Sequence, residues 1–322
     1  MYHPWFPWVA FNLLVVILLA LDLFVFNRKA HAISFREAIG WSIFWIGLAM
    51  VFNMLLIPWR GYDDALKFSA GYLLEKSLSV DNLFVFLLLF TYFQVPAKFQ
   101  HRVLFWGIIG AIVMRIIFIL AGVALINHLH WVLFVFGGFL ILTGIKMAFK
   151  NEEGMHPEQN PVVRLMRRIM PISPPTDDGK FFTLHNGKRM ATPLFVVLIA
   201  IETTDVIFAI DSVPAVIGVI RDPVTGHSDA FLAYSSNIFA ILGLRALYFA
   251  LAGLLEKFHY LHFGLAAILI FVGIKMLLEA ADHYQWFPWH LHVPTAVSLS
   301  IIGLILTIAI AGSLLFPLKS KD

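Results

Sequence analysis

The chain has 322 residues, of which 60% are apolar and 13% charged, with a formal net charge of +3 and a mean hydropathy of +0.84. So apolar a composition excludes an ordinary soluble domain and points to a polytopic membrane protein. The absence of cysteine excludes disulfides, Fe–S clusters and thiolate metal sites, and the small, dispersed positive charge argues against a nucleic-acid partner.

A spanning helix needs about 20 mostly apolar residues. Nine stretches qualify, at roughly 8–26, 39–58, 69–93, 102–126, 131–149, 192–220, 230–256, 259–280 and 294–316. The expected class is therefore an all-α polytopic membrane protein. The first run lacks a basic leader and a small-x-small cleavage site, and its basic pair, Arg28 and Lys29, comes after it. That order predicts a membrane helix rather than a cleaved signal. Most links are short. The exception is 150–191, rich in Pro, Lys and Arg and weak in local structure signals.

Orientation follows from Lys and Arg. Numbering the links alternately, one set carries fifteen of these residues and the other three: Arg60, Lys67 and Arg221. The bias puts the N-terminus outside and the C-terminus and the 150–191 link in the cytoplasm. Trp5, Trp8, Trp59, Trp286 and Trp289 then fall near the outer interface, where indole rings are favoured. Arg164, Arg167 and Arg168 of the link could touch anionic lipid heads, but we read them first as a solvated loop that obeys the positive-inside rule. His283, His290 and His292 gather on the outer side with Glu279 and Asp282. We read them as a solvated polar loop before an external metal-collecting surface.

The most informative stretch is LIAIETTDVIFAIDSVPAV, residues 198–216. It is apolar yet holds Glu202, Asp205 and Asp211, with Ser212 and Pro214 close behind. A carboxylate at membrane depth is costly unless it is paired or lines a water path, so it is a functional candidate by default. Proline frees backbone carbonyls. Carboxylates, a hydroxyl and carbonyls form the oxygen-rich surroundings a hard cation needs. The plainer alternative is a buried charge pair that fixes helix packing. Pro214 predicts a break or sharp bend near Asp211.

A second copy of the pattern exists. Glu75-Lys-Ser-Leu-Ser-Val-Asp81-Asn82 matches Asp205-Val-Ile-Phe-Ala-Ile-Asp211-Ser212 in spacing. Asp81 to Arg115 and Asp211 to Arg245 are both 34 residues, and Gly-Ile-Lys-Met recurs at 144–147 and 273–276. Three landmarks in order at matching offsets indicate a duplication. The organisation becomes two N-terminal helices (1–68), a three-helix unit (69–149), the cytoplasmic link (150–191), a second three-helix unit (192–280) and a last helix with a short tail (281–322). Units with an odd number of helices must point opposite ways across the bilayer. That is the inverted repeat of secondary transporters, whose site lies at the repeat interface near the midplane.

Helical geometry constrains the site. Residues six apart point about 120° away from one another, so Glu75 and Asp81, or Asp205 and Asp211, share one ion only if the helix breaks between them, or else serve successive positions along a path. Asn82 nearly shares the face of Glu75, and Glu202 shares that of Asp205. Arg115 and Arg245, deep in apolar runs, read as structural counter-charges first and gating partners second. Lys76 points about 100° away from Glu75. Glu75, Asp81, Glu202, Asp205 and Asp211 outnumber the deep bases by about two charges, which suits a divalent cation, or protons in its absence.

The segments EKSLSVDNLFVF (75–86), IETTDVIFAIDSVPA (201–215), SNIFAILGLRALYF (236–249) and the paired GIKM resemble the TerC family of integral membrane proteins, most closely its Alx-type members. The resemblance covers about residues 8–316. It implies a LysE-type transporter superfamily fold, with Alx-type members implicated in manganese export. By resemblance, Glu75, Asp81, Asn82, Glu202, Asp205, Asp211 and Ser212 are the metal-site candidates, with Arg115 and Arg245 as supporting counter-charges. Manganese comes from the resemblance alone, because spacing shows only a hard-cation site. The leading expectation is a manganese(II) exporter that exchanges metal for protons, with no resident cofactor. Other hard divalent ions, calcium and magnesium among them, and a membrane scaffold or assembly factor that delivers metal to or folds exported proteins, remain open. A tellurite-related anion channel fits poorly with buried negative charge. An enzyme is not expected, because the motifs hold no nucleophile–base pair and no phosphate loop. Oligomeric state is left open.

Overall fold

A computed structural model describes residues 5–21, 34–93, 95–149, 171–173, 179–185, 188–222, 225–251, 260–286 and 293–315, with the backbone alone at 81, 84, 88, 92 and 251. The fold is almost wholly helical, in the order α1 (Phe6–Leu21), α2 (Phe35–Arg60), α3 (Tyr62–Tyr92), α4 (Ala97–His128), α5 (Val132–Phe149), β1 (Phe182–His185), β2 (Lys188–Ala191), α6 (Pro193–Ile220), α7 (Ala230–Leu242), α8 (Leu244–Leu251), α9 (Leu261–His283) and α10 (Thr295–Leu315).

Seven of these spans are long and apolar enough to cross a membrane: α2, α4, α5, α6, α7 with α8, α9 and α10. The chain is thus an all-α multi-pass membrane protein. Of the other expected spans, α1 has 16 described residues. Helix α3 has 31, roughly 46 Å of helix, but Asp63, Asp64, Lys67, Glu75, Lys76 and Asp81 interrupt its apolar sequence. Several helices begin before the apolar runs do. Helix α3 starts at Tyr62 rather than near 69, because a helix continues past the hydrocarbon into charged residues that an apolar window leaves out.

Burial separates the layers. Every residue of α7 from Phe231 to Leu242 is buried, so α7 lies at the centre of the bundle. Leu13, Met54, Leu142, Leu304 and Ile308 are each more than half exposed. Such apolar outer faces on α1, α2, α5 and α10 suit lipid contact. Helices α5 and α9 pack through glycine, the usual means of close approach between membrane helices. A Cβ at Gly137 would stand 2.8 Å from the Gly273 carbonyl oxygen, and one at Gly144 would stand 2.8 Å from that of Ala266. Seven residues forward along α5 is seven back along α9, so the two helices run antiparallel.

Two expectations change. Helix α6 runs unbroken from Pro193 to Ile220 with Pro214 inside it, so the predicted break beside Asp211 is absent. Neighbouring groups and local adjustment accommodate proline within membrane helices. The interruption lies instead in the expected 230–256 helix, at Gly243 between α7 and α8. Lys76 Nζ donates to the Ala240 carbonyl at 3.2 Å, taking up an oxygen of the last turn of α7. Gly243 is pressed by that ammonium and by Trp45, 2.9 and 3.0 Å from where a Cβ would lie.

The 150–191 link holds a hairpin that its composition did not predict. Strands β1 and β2 pair antiparallel, with Phe182 opposite Ala191 and His185 opposite Lys188. The signal was the Asn186-Gly187 dipeptide between the two short runs. Arg164, Arg167 and Arg168 lie outside the described residues.

Candidate functional site

Four helices bring polar side chains to one buried point. Glu75 on α3 is 0% exposed, Arg115 on α4 is 1%, Asp205 and Ser212 on α6 are 4% and 3%, and Asn237 on α7 is 0%. Asp205 and Ser212 are seven residues apart and so share a helix face. Arg115 Nη1 lies 2.7 Å from Glu75 Oε1 and donates to Ser212 Oγ at 2.6 Å, while Nη2 is 3.7 Å from Asp205 Oδ1. Asn237 Nδ2 donates to Glu75 Oε2 at 2.9 Å.

The guanidinium therefore sits between two carboxylates from two helices. This arrangement offsets the desolvation that would otherwise make each charge very costly. Two acidic side chains against one basic one leave the group with an excess of acid oxygens. Several oxygens also keep open capacity. Among the described residues, Asp205 Oδ2, Asn237 Oδ1 and Ser79 Oγ are buried without a hydrogen-bond partner. Ser79 and Asn82, four and seven residues after Glu75, lie on its face of α3 and are buried.

The sequence candidates divide. Glu75, Asp205, Ser212 and Arg115 come together. Glu202 is half-buried one turn before Asp205, its carboxylate against Gly110 of α4, where a Cβ would meet Oε1 at 2.0 Å. Asp211 turns away to α5, where it accepts a long hydrogen bond of 3.4 Å from Thr143 and feels the charge of Lys146. An unbroken α6 requires that separation, because Asp205 and Asp211 point about 120° apart. Asn82 is buried, the Asp81 side chain lies outside the described residues, and Arg245 is buried and engaged on α8. Among the described residues no three His, Asp or Glu side chains stand close enough to hold a metal ion. The physical reasons are that Arg115 intervenes between Glu75 and Asp205 and that Asp211 faces another helix.

Asn237 was missed. It is a lone amide in an apolar run, and periodicity gives no reason to turn it toward Glu75. Its position within SNIFAILGLRALYF, eight residues before Arg245, was the available signal.

A second polar layer lies at the end of the bundle where α2 meets α3. Arg60 pairs with Asp64 at 2.8 Å and with Asp229, and Lys67 pairs with Asp222 at 2.7 Å. Lys275 of the second GIKM motif donates to the Gly218 and Val219 carbonyls at 3.1 and 3.3 Å, in the last turn of α6. Glu279 is 7% exposed, 3.6 Å from Lys275 and 3.9 Å from Arg221. It therefore belongs to the interior rather than to a solvated loop. His290 and His292 lie outside the described residues. His283 stacks on His130 of the α4–α5 turn, rings 4.0 Å apart and 7° from parallel. Burial first, then the nearby His283, Arg221 and His227, push the His130 imidazole below its usual pKa.

Comparison with known proteins agrees with this architecture. The profile described as "Integral membrane protein TerC family" matches residues 60–321. An uncharacterized membrane protein of Myxococcus xanthus is 47% identical over 309 residues, covering 96% of this chain and 92% of that one. The Alx proteins of Salmonella typhi and Escherichia coli K12, both named as proposed membrane-bound redox modulators, are 46% and 45% identical. Those alignments cover 94% and 92% of this chain, and 92% and 90% of the relatives. No solved structure matches. The family match over most of the chain, and relatives 46–47% identical over nearly their full length, make it a member of the TerC family of integral membrane proteins.

Proposed function

We propose that the chain is a secondary transporter that exports manganese(II) across the bacterial cytoplasmic membrane in exchange for protons. The N-terminus lies outside and the C-terminus in the cytoplasm. The observation that carries the reading is the buried Glu75–Arg115–Asp205–Ser212–Asn237 group, built from four helices and holding two acidic side chains to one basic one. Carboxylate, hydroxyl and amide oxygens are hard donors, matched to manganese, calcium or magnesium. Preference for manganese rests on the family resemblance. The duplicated motifs and the antiparallel α5–α9 contact support two inverted units, α3–α5 and α6–α9, meeting at this group. The contact itself is reciprocal. The duplication carries position 137 onto 266 and 144 onto 273, which turns the Gly137–Gly273 contact into Ala266–Gly144.

The redox role in the relatives' names finds no thiol in this sequence to perform disulfide exchange. The test is purified protein in liposomes, offered manganese, calcium and magnesium in turn with a pH dye inside. Manganese should enter from the cytoplasmic face as protons leave. Failure of all three ions to move would remove the transport reading and leave the scaffold alternative.

A further inference from the structure

The oxygen atoms best placed to hold a cation already hold one. The Arg115 guanidinium contacts Glu75 Oε1, Ser212 Oγ and Asp205 Oδ1, from two helices other than its own. We propose that Arg115 is a tethered competitor for the transported ion: its guanidinium fills the cation site between turnovers and must leave Glu75 and Asp205 before a divalent ion enters. The inference rests on the transport reading and assigns the regulation of the same site.

Three features support it. Arg115 is 1% exposed and sits midway along a 32-residue helix, so its charge is held by the same buried oxygens that an incoming ion would need. Its contacts are uneven. One carboxylate is held at 2.7 Å and the other at 3.7 Å, so the hold on Asp205 is the looser of the two. The remaining oxygens suit an incoming ion. Asp205 Oδ2 and Asn237 Oδ1 are buried and lack a donor among the described residues. A divalent cation that took Asp205, Ser212, Asn237 and then Glu75 would gain several protein oxygens, and water completes the six or so that hard divalent ions prefer.

The competition does what an exchanger needs. The empty site keeps a compensating charge, so unpaired carboxylates do not stabilise a leak path. A bound ion is also expelled by the returning guanidinium, so affinity is given up for turnover. If Arg115 fills the site about nine-tenths of the time, its removal raises apparent ion affinity about tenfold, because affinity falls with the fraction of competent protein.

The test uses purified full-length protein and manganese(II) alone as the probe. Free metal is followed by its electron paramagnetic resonance signal, and transport is followed in liposomes. Arg115→Gln should bind manganese about tenfold more tightly than wild type yet turn over more slowly, because nothing displaces the ion. Arg115→Lys keeps the charge but cannot bridge two carboxylates, so its affinity should fall between the two. Folded Arg115→Gln that binds manganese no better than wild type overturns the proposal. Should the glutamine variant fail to fold, Arg115→Lys decides: wild-type or weaker affinity overturns the proposal. If wild-type protein neither binds nor moves any divalent ion, the transport reading fails, and this inference with it. If wild type transports while the variants show no gain in affinity, only this inference fails.

Discussion

Asp205 and Asp211 have the same side chain on one helix and different surroundings. Asp205 is 4% exposed and faces Arg115, whereas Asp211 is half-buried and faces Thr143. If Asp205 holds a divalent ion, Asp205→Asn keeps the shape and removes a unit charge, worth on the order of 10 kcal/mol at about 3 Å and an effective dielectric near 20, before desolvation is subtracted. Even a tenth of that changes affinity several-fold, so Asp205→Asn should abolish manganese efflux while the protein still accumulates in the membrane. Asp211→Asn should reduce efflux less. Equal losses measured at equal abundance would return Asp211 to the site. Asn237→Ala removes a donor to Glu75 and an open oxygen, and should raise the manganese concentration for half-maximal transport several-fold; an unchanged value removes Asn237 from ion handling. At the bundle end, His130 has a lowered pKa, so protonation opposes the folded arrangement. The stability it contributes is present above the ordinary histidine value, about 6.5, and is lost as pH falls below it. The melting midpoint in detergent should therefore drop between about pH 7 and 5, and His130→Gln should flatten that slope. The carboxylates, Ser212 and Arg115 were legible because charged and polar residues stand out in apolar helices. Their pairing was not, because spacing along one helix fixes a face and says nothing of what another helix brings to it.

Helix ends show where the fold depends on buried lysines. Lys275 is 1% exposed and serves the Gly218 and Val219 carbonyls at the end of α6 together with Glu279. Lys275→Met strips those oxygens of their donor and leaves a buried carboxylate with a weaker partner, a change that costs about 3 kcal/mol or more when buried pairs are broken. The expected result is a clear fall in the melting midpoint in detergent, with ion selectivity unchanged in whatever protein remains folded. The GIKM repeat marked the duplication but not the role of this lysine, and its counterpart Lys146 is exposed. Pro214 predicted a break or a sharp bend. The break is absent, because α6 carries Pro214 inside a continuous helix, and the chain breaks instead at Gly243, where Trp45 and Lys76 crowd in. Glycine at that position leaves room for two neighbours, a requirement set by tertiary packing and invisible in the local pattern. Since α6 is unbroken, Pro214→Ala should leave transport close to normal; a large loss would mean that carbonyls near Asp211 serve the ion.

At the scale of the molecule, the class and seven of the nine expected spans were readable from hydropathy, because a bilayer demands long apolar helices with satisfied backbones. The β1–β2 hairpin was not readable from hydropathy, since short strands carry little periodicity and only the Asn186-Gly187 dipeptide marked it. The lining of the central site by α3, α4, α6 and α7 is the molecular feature on which the transport account stands. Its most direct test is manganese uptake by inverted membrane vesicles under an imposed proton gradient, comparing wild type, Glu75→Gln and Asp205→Asn at matched protein abundance. The account predicts gradient-dependent uptake by wild type and loss of uptake in both variants. Uptake by both variants at the wild-type rate would contradict it and would leave the Glu75–Arg115–Asp205 group as a packing device.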